Sequence, residues 1–120
     1  MKKFESYETF CRELENATGY QVYDERTSST GVKAPYIVCQ RINSVNLFAD
    51  NKPFIRRDNV AVNLHAFQKN KSVNGEKKKA ETKVESFLND SGYIFDKDTD
   101  WLEEIELYKV TYGVEIWLTE

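Results

Sequence analysis

The stretch "LFADNKPFIRRDNV", Leu47 to Val60, runs directly into "VAVNLHAF", Val60 to Phe67, and the way the two are joined decides the fold. The second half is plain. Val60, Val62, Leu64 and Ala66 fall on one face and Ala61, Asn63, His65 and Phe67 on the other, the period-two alternation of a half-buried strand. The first half is not. Leu47, Phe48, Pro53, Phe54 and Ile55 flank an Asp50-Asn51 turn inside a connection of about sixteen residues, where connections of about six are usual. If the strands on either side continue past the core sheet, this segment becomes a hairpin arm with Asp50-Asn51 near its tip. An arm of that kind exposes apolar residues that mark a partner surface, or adds a strand to a neighbouring sheet. The alternative is that the segment folds back and buries those residues on its own core.

Outward from this point the elements follow from spacing. "YIVCQRI", Tyr36 to Ile42, is rich in β-formers and precedes the connection as a strand. "YQVY", Tyr20 to Tyr23, is a shorter strand, separated from it by the polar loop "DERTSSTGVKAP". Phe4, Tyr7, Phe10, Leu14 and Ala17 recur at helical spacing with Cys11 beside them, and Thr18-Gly19 is a stop, so helix one covers about 3–17. Beyond Phe67, Val73, Ala80, Val84, Phe87 and Leu88 form one helical stripe ended by Ser91-Gly92, which places helix two at about 74–89 with an uncertain start at Gly75. "YIFDKDTDW" is a strand entering an acidic turn. In the final run Tyr108, Val110, Tyr112, Val114, Ile116 and Leu118 share a face while Ile105 and Leu107 fall on the opposite phase, so a bulge or a change of partner near 107–108 is expected. The order α-β-β-β-α-β-β describes one α+β domain, a mostly antiparallel sheet with two helices on one face and a protruding hairpin arm.

Composition narrows the function. A chain of 120 residues supports one hydrophobic core, and 40% hydrophobic residues can fill it. A net charge of −3 lacks the basic excess of a dedicated duplex binder. No run approaches the roughly eighteen apolar residues of a membrane span, and Glu5 and Glu8 interrupt any signal core, so a cytosolic origin is expected. Cys11 and Cys39 lack metal or redox spacing and are expected as buried free thiols.

The inventory for catalysis is thin. His65 is the sole histidine, and mid-strand it is expected to be structural. Two cysteines and one histidine make no zinc set, and the glycines form no phosphate cradle, so neither catalytic residues nor a cofactor or metal site is expected. In "DKDTDWLEEIEL", Asp96, Asp98 and Asp100 match the first ligand positions of a calcium loop, but Trp101 replaces the obligatory glycine and Leu107 the closing acid. A solvated acidic hairpin end is the better reading. Lys69, Lys71, Lys77, Lys78 and Lys79 gather before and within the start of helix two, a solvated helix face in the first instance. If identical copies pack head to tail, that lysine end meets the next copy's acidic end at Asp96, Asp98 and Asp100, a heterologous contact that closes into a ring.

Taken in order, "TGYQVYDER", "PYIVCQRINSVNLFADNKPF", "VNLHAFQKNKS" and "YIFDKDTDWLEEIELYKVTYGVEI" resemble the small tail-completion proteins, tail terminators or head-tail joining proteins, of long-tailed bacteriophages and prophages of Gram-positive bacteria. The resemblance covers about residues 18–116. It implies a non-enzymatic virion subunit, assembled in the host cytoplasm, that forms a hexameric ring at the head-proximal end of the tail tube. Its partners would be further copies, the tail tube protein and the head-connector or stopper proteins, with DNA only as cargo in the channel and no membrane. Leu47, Phe48, Phe54, Ile55, Arg56 and Arg57 would then form an inter-subunit or tube-facing element. The chain departs from its relatives at "KPFIRRDN", which carries more arginine than expected, and at Cys11 and Cys39. Two alternatives stand beside a terminator: a joining or stopper protein of the neck, and a nucleic-acid-binding accessory protein using Lys69–Lys79 with Arg56 and Arg57.

Overall fold

A computed structural model describes residues 2–24, 34–49, 52–66, 75–103 and 107–119, with the backbone alone at 46–49 and 52–55. Its elements are β1 (Lys3–Phe4), α1 (Tyr7–Thr18), β2 (Val22–Asp24), β3 (Tyr36–Ala49), β4 (Lys52–Ala66), α2 (Glu76–Asp90), β5 (Phe95–Leu102) and β6 (Leu107–Leu118). They form one α+β domain with a six-stranded sheet in the order β1-β6-β4-β3-β2, and β5 pairs along the same edge of β6 as β1. The β3–β4, β4–β6 and β5–β6 pairs are antiparallel, whereas the short β1 and β2 pair in parallel.

The sequence expectation starts α1 too early. Phe4 lies three residues before Tyr7, which mimics helical spacing, but Lys3–Phe4 pairs with Trp117–Leu118 of β6 as a strand. The helix begins only after Ser6, whose hydroxyl accepts the Thr9 N–H at 3.1 Å and so satisfies a donor of the open first turn. It ends at Gly19, whose φ of 77° is a left-handed conformation that other residues enter at a cost, and whose N–H donates to the Glu15 carbonyl. Two other expectations are corrected at the far end. Residues Asp96, Asp98 and Asp100 stand within the regular strand β5, paired with β6 from Phe95↔Val114 to Leu102↔Leu107, rather than in an acidic turn. The bulge at 107–108 is not formed, because β6 keeps an unshifted register with β4 and β5, and Leu107 is buried opposite Leu102. A register shift occurs instead in β3 at Ile42, between Arg41↔Val60 and Asn43↔Asn59. The loop at 25–33, the Asp50-Asn51 turn, Phe67, Val73 and Ile105 lie outside the described residues.

Both helices cover one face of the sheet. Their buried stripes, Tyr7, Phe10 and Leu14 from α1 and Ala80, Val84, Phe87 and Leu88 from α2, meet Ile37, Cys39, Val62, Leu64, Val110, Tyr112 and Ile116 of the strands. Phe10 stands at the junction, edge-on to Phe4 at 5.1 Å and tilted against Phe87 at 5.8 Å. A chain of polar contacts then locks α2 to the β5–β6 edge: Lys97 reaches Glu81 at 2.5 Å and Glu85 at 2.9 Å, and the Tyr112 hydroxyl donates to Glu85 at 2.7 Å. Because Lys97 faces α2, its strand neighbours Asp96 and Asp98 face away from it.

Phe10→Ala removes a fully buried ring that the two helices and β1 share. It is expected to destabilise the domain by about 3–5 kcal/mol, read as a lowered midpoint in urea-induced unfolding followed by far-ultraviolet circular dichroism. An exposed-site variant such as Thr82→Ala should leave that midpoint within about 0.5 kcal/mol.

Candidate functional site

The two faces of the sheet differ in what they offer. On the helix side, α2 turns Lys78, Lys79, Thr82, Ser86 and Asn89 to solvent. Of its carboxylates, Glu81 is ion-paired with Lys77 and Lys97 and Glu85 with Lys97, whereas Glu76 and Asp90 are exposed at its two ends. Burial pulls the Lys97 ammonium down, but hydrogen bonds and charge from Glu81 and Glu85 outweigh it and hold its pKa above the ordinary value. Burial likewise works against the Glu81 carboxylate, and the hydrogen bonds from Lys77 and Lys97 reverse this, leaving it lowered. Lys77 also lies 5.0 Å from the Tyr108 ring centroid. Of the five lysines singled out in the sequence, the three on α2 divide: Lys77 is committed within the chain, and Lys78 and Lys79 carry outward charge.

Among the described residues, no helix lies on the opposite face. Along β5 the exposed Asp96, Asp98 and Asp100 stand in one row, in register with Gly113, Thr111 and Lys109 of β6. Next to that row an open concavity of about 440 Å³ crosses the sheet, bordered by Ile42, Asn59, Ala61, Ile94, Asp96 and Gly113. Ala61 and Gly113 are register partners, so two of the smallest side chains form its floor. Ile94 is 92% exposed and Ile42 56% exposed at its rim. The sequence patterns did not single out these four residues. The available signal was a glycine in the middle of an otherwise unbroken alternating strand, "TYGVEI".

The remaining candidates fall outside this surface or are held by the chain itself. Arg57 ion-pairs with Glu115 at 2.9 Å and lies 5.8 Å from the Trp117 ring centroid. Arg56 is in register with Leu118, the last β4–β6 pair. The β3–β4 ladder goes on through Leu47↔Ile55 and Phe48↔Pro53 to Ala49↔Lys52, which answers the question of the long connection at the level of backbone: it is paired strand. Lys69 and Lys71 lie outside the described residues. Cys11 and Cys39 are free thiols, Cys11 half-buried and Cys39 buried. Among the described residues, no group of three or more His, Cys, Asp or Glu side chains is placed to hold a metal ion, and no helix is long and apolar enough to cross a membrane.

His65 stacks on Tyr36, with ring centroids 4.7 Å apart and planes 6° from parallel. Burial, reinforced by the charge of Lys109, holds its pKa below the ordinary value. No family model and no curated protein matches the chain.

Because the folded state takes up a proton at His65 less readily than the unfolded chain, His65 leaves stability intact above about pH 6.5 and erodes it as pH falls from there through the lower folded value. His65→Gln is therefore expected to flatten the loss of stability between about pH 7 and 5, measured by urea unfolding across that range. An unchanged slope would mean that the imidazole does not titrate differently on folding.

Proposed function

We propose that this chain is a structural subunit of a phage tail, a tail terminator that forms a ring at the head-proximal end of the tail tube, stops tube growth and provides the joint to the head connector. The reading makes no use of catalysis or a cofactor. DNA passes through the ring as cargo, and the protein resides in the neck of the virion after assembly in the host cytoplasm. A hexamer is the stoichiometry implied by the resemblance set out above.

The observation that carries the reading is the mismatch in length between neighbouring strands. Pairing of β4 with β6 stops at Arg56↔Leu118, while β3 and β4 continue together to Ala49↔Lys52. Leu47, Phe48 and Ala49 of β3 and Lys52, Pro53, Phe54 and Ile55 of β4 thus lie beyond the last β4–β6 pair and have ladder partners only in each other's strand among the described residues. Principal extents of 57 × 28 × 23 Å accord with an element that projects from the sheet. A two-stranded ribbon alone is marginally stable in water, and one bearing two phenylalanines is suited to burial on assembly. We read it as the arm by which a subunit grips the next copy or the tube. At its base Asp58, fully buried, accepts a hydrogen bond from Ser44 at 2.6 Å and ties the two strands together where the sheet narrows.

Phe48→Ala or Phe54→Ala is expected to abolish assembly and leave the subunit folded, since truncating a central aromatic anchor costs about 2 kcal/mol or more of association. Sedimentation and circular dichroism together separate that outcome from loss of the fold, which would place these rings in the core. Electron microscopy of a lysate from the parent phage with this gene interrupted tests the role itself. Tails of uncontrolled length are expected of a missing terminator. Tails of normal length beside filled, unattached heads would assign the chain to head-tail joining, and intact infectious particles would overturn the structural reading.

A further inference from the structure

A glycine in mid-strand weakens a sheet unless something needs the room. At Gly113 the subunit itself does not need it. No left-handed φ is present there, and a Cβ added at this position meets only the Asp96 Cβ, at 3.9 Å, an ordinary contact. The missing side chain therefore serves the space above the sheet, the floor of the concavity that Gly113 shares with its partner Ala61. Such a floor lets another backbone approach closely.

We propose that this uncovered face seats helix α2 of a second copy of the chain. The inference rests on the ring reading for its partner and adds the surface through which successive subunits meet. The outward ridge of α2 is Lys78, Thr82 and Ser86, at i, i+4 and i+8, with Lys79 beside it; it is cationic at one end and small along the rest. The seat is lined by Asp96, Asp98 and Asp100 of β5, with Lys109 of β6 opposite Asp100, and is small at Gly113 beside Asp96. The lengths agree as well. Lys78 to Ser86 covers about 12 Å at the helical rise, and Asp100 to Asp96 about 13 Å at the strand rise. With the lysines over Asp98 and Asp100, Ser86 comes to lie over Gly113, and Ile42 and Ile94 flank the helix. Glu115 does not dilute the complementarity with the wrong partner, because Arg57 already holds it. Ridge and seat lie on opposite faces of one sheet, so the contact is heterologous and repeats from copy to copy.

The test is sedimentation equilibrium of the full chain and two complementary charge reversals. Lys78→Glu with Lys79→Glu alters exposed residues near the start of α2, where acids favour the helix. Asp96→Lys with Asp98→Lys alters exposed residues opposite neutral Gly113 and Thr111, leaving Asp100 opposite Lys109. Each double variant alone is expected to weaken self-association about 100-fold or more, and an equimolar mixture of the two to restore it, because each variant's helix now complements the other's seat. Gly113→Leu is expected to abolish association with an unchanged circular dichroism spectrum. Association of all three variants as in the wild type would overturn the proposal, as would a mixture that stays dissociated or a wild-type chain monomeric at its solubility limit. Uncontrolled tail length on loss of the gene would still uphold the terminator reading in any of those cases, so the two failures are distinguishable.

Discussion

The antiparallel ladder between β4 and β6 runs in unbroken register from Arg56↔Leu118 to Ala66↔Tyr108, and the other elements take their places from it. It sets Val60, Val62 and Leu64 beside Val114, Tyr112 and Val110 as one continuous apolar surface, the surface on which both helices rest. It also fixes what the reverse side displays. Since side chains alternate, the same register that buries Tyr112 and Val114 brings Ala61 against Gly113 on the uncovered face. A slip of one residue would exchange the two surfaces and destroy both.

Two consequences come from the uneven lengths of the strands around this ladder. On one side the β4–β6 ladder stops at Arg56↔Leu118 while the backbones of β3 and β4 stay paired to Ala49↔Lys52. On the other side β5 lends β6 a row of aspartates that no helix covers among the described residues. In the repeating assembly proposed above, these are the two places where a next copy would be met.

The sequence made the inner face legible and the outer face largely not. Alternation in "VAVNLHAF" and in Tyr108–Leu118, and the helical stripe Ala80–Leu88, follow from burial, and burial writes a periodic signal. Ser6, an N-cap ahead of Thr9, was the mark of the true start of α1, obscured by the apolar Phe4 that belongs to β1. Strand β5 was harder, because aspartate has low strand propensity and Asp96, Asp98 and Asp100 read as turn; pairing with β6 overrides that local preference. The lysines and aspartates were visible as charges, but not that they occupy opposite faces, nor that Glu81 takes Lys77 out of play. Gly113 announces itself only as a glycine inside an alternating strand, since its meaning lies in an absent side chain at one register position.

Zero-length carbodiimide cross-linking of an equal mixture of light and nitrogen-15-labelled chains tests the central claim, that one copy's α2 covers another's open sheet face. Lys78 and Asp98 lie on opposite faces of the same sheet, so an amide between them within one chain is barred by geometry. The account predicts cross-linked peptides joining Lys78 or Lys79 to Asp98 or Asp100, with mixed light and heavy partners. Mixed cross-links that consistently join other surfaces, with none between these lysines and aspartates, would contradict it.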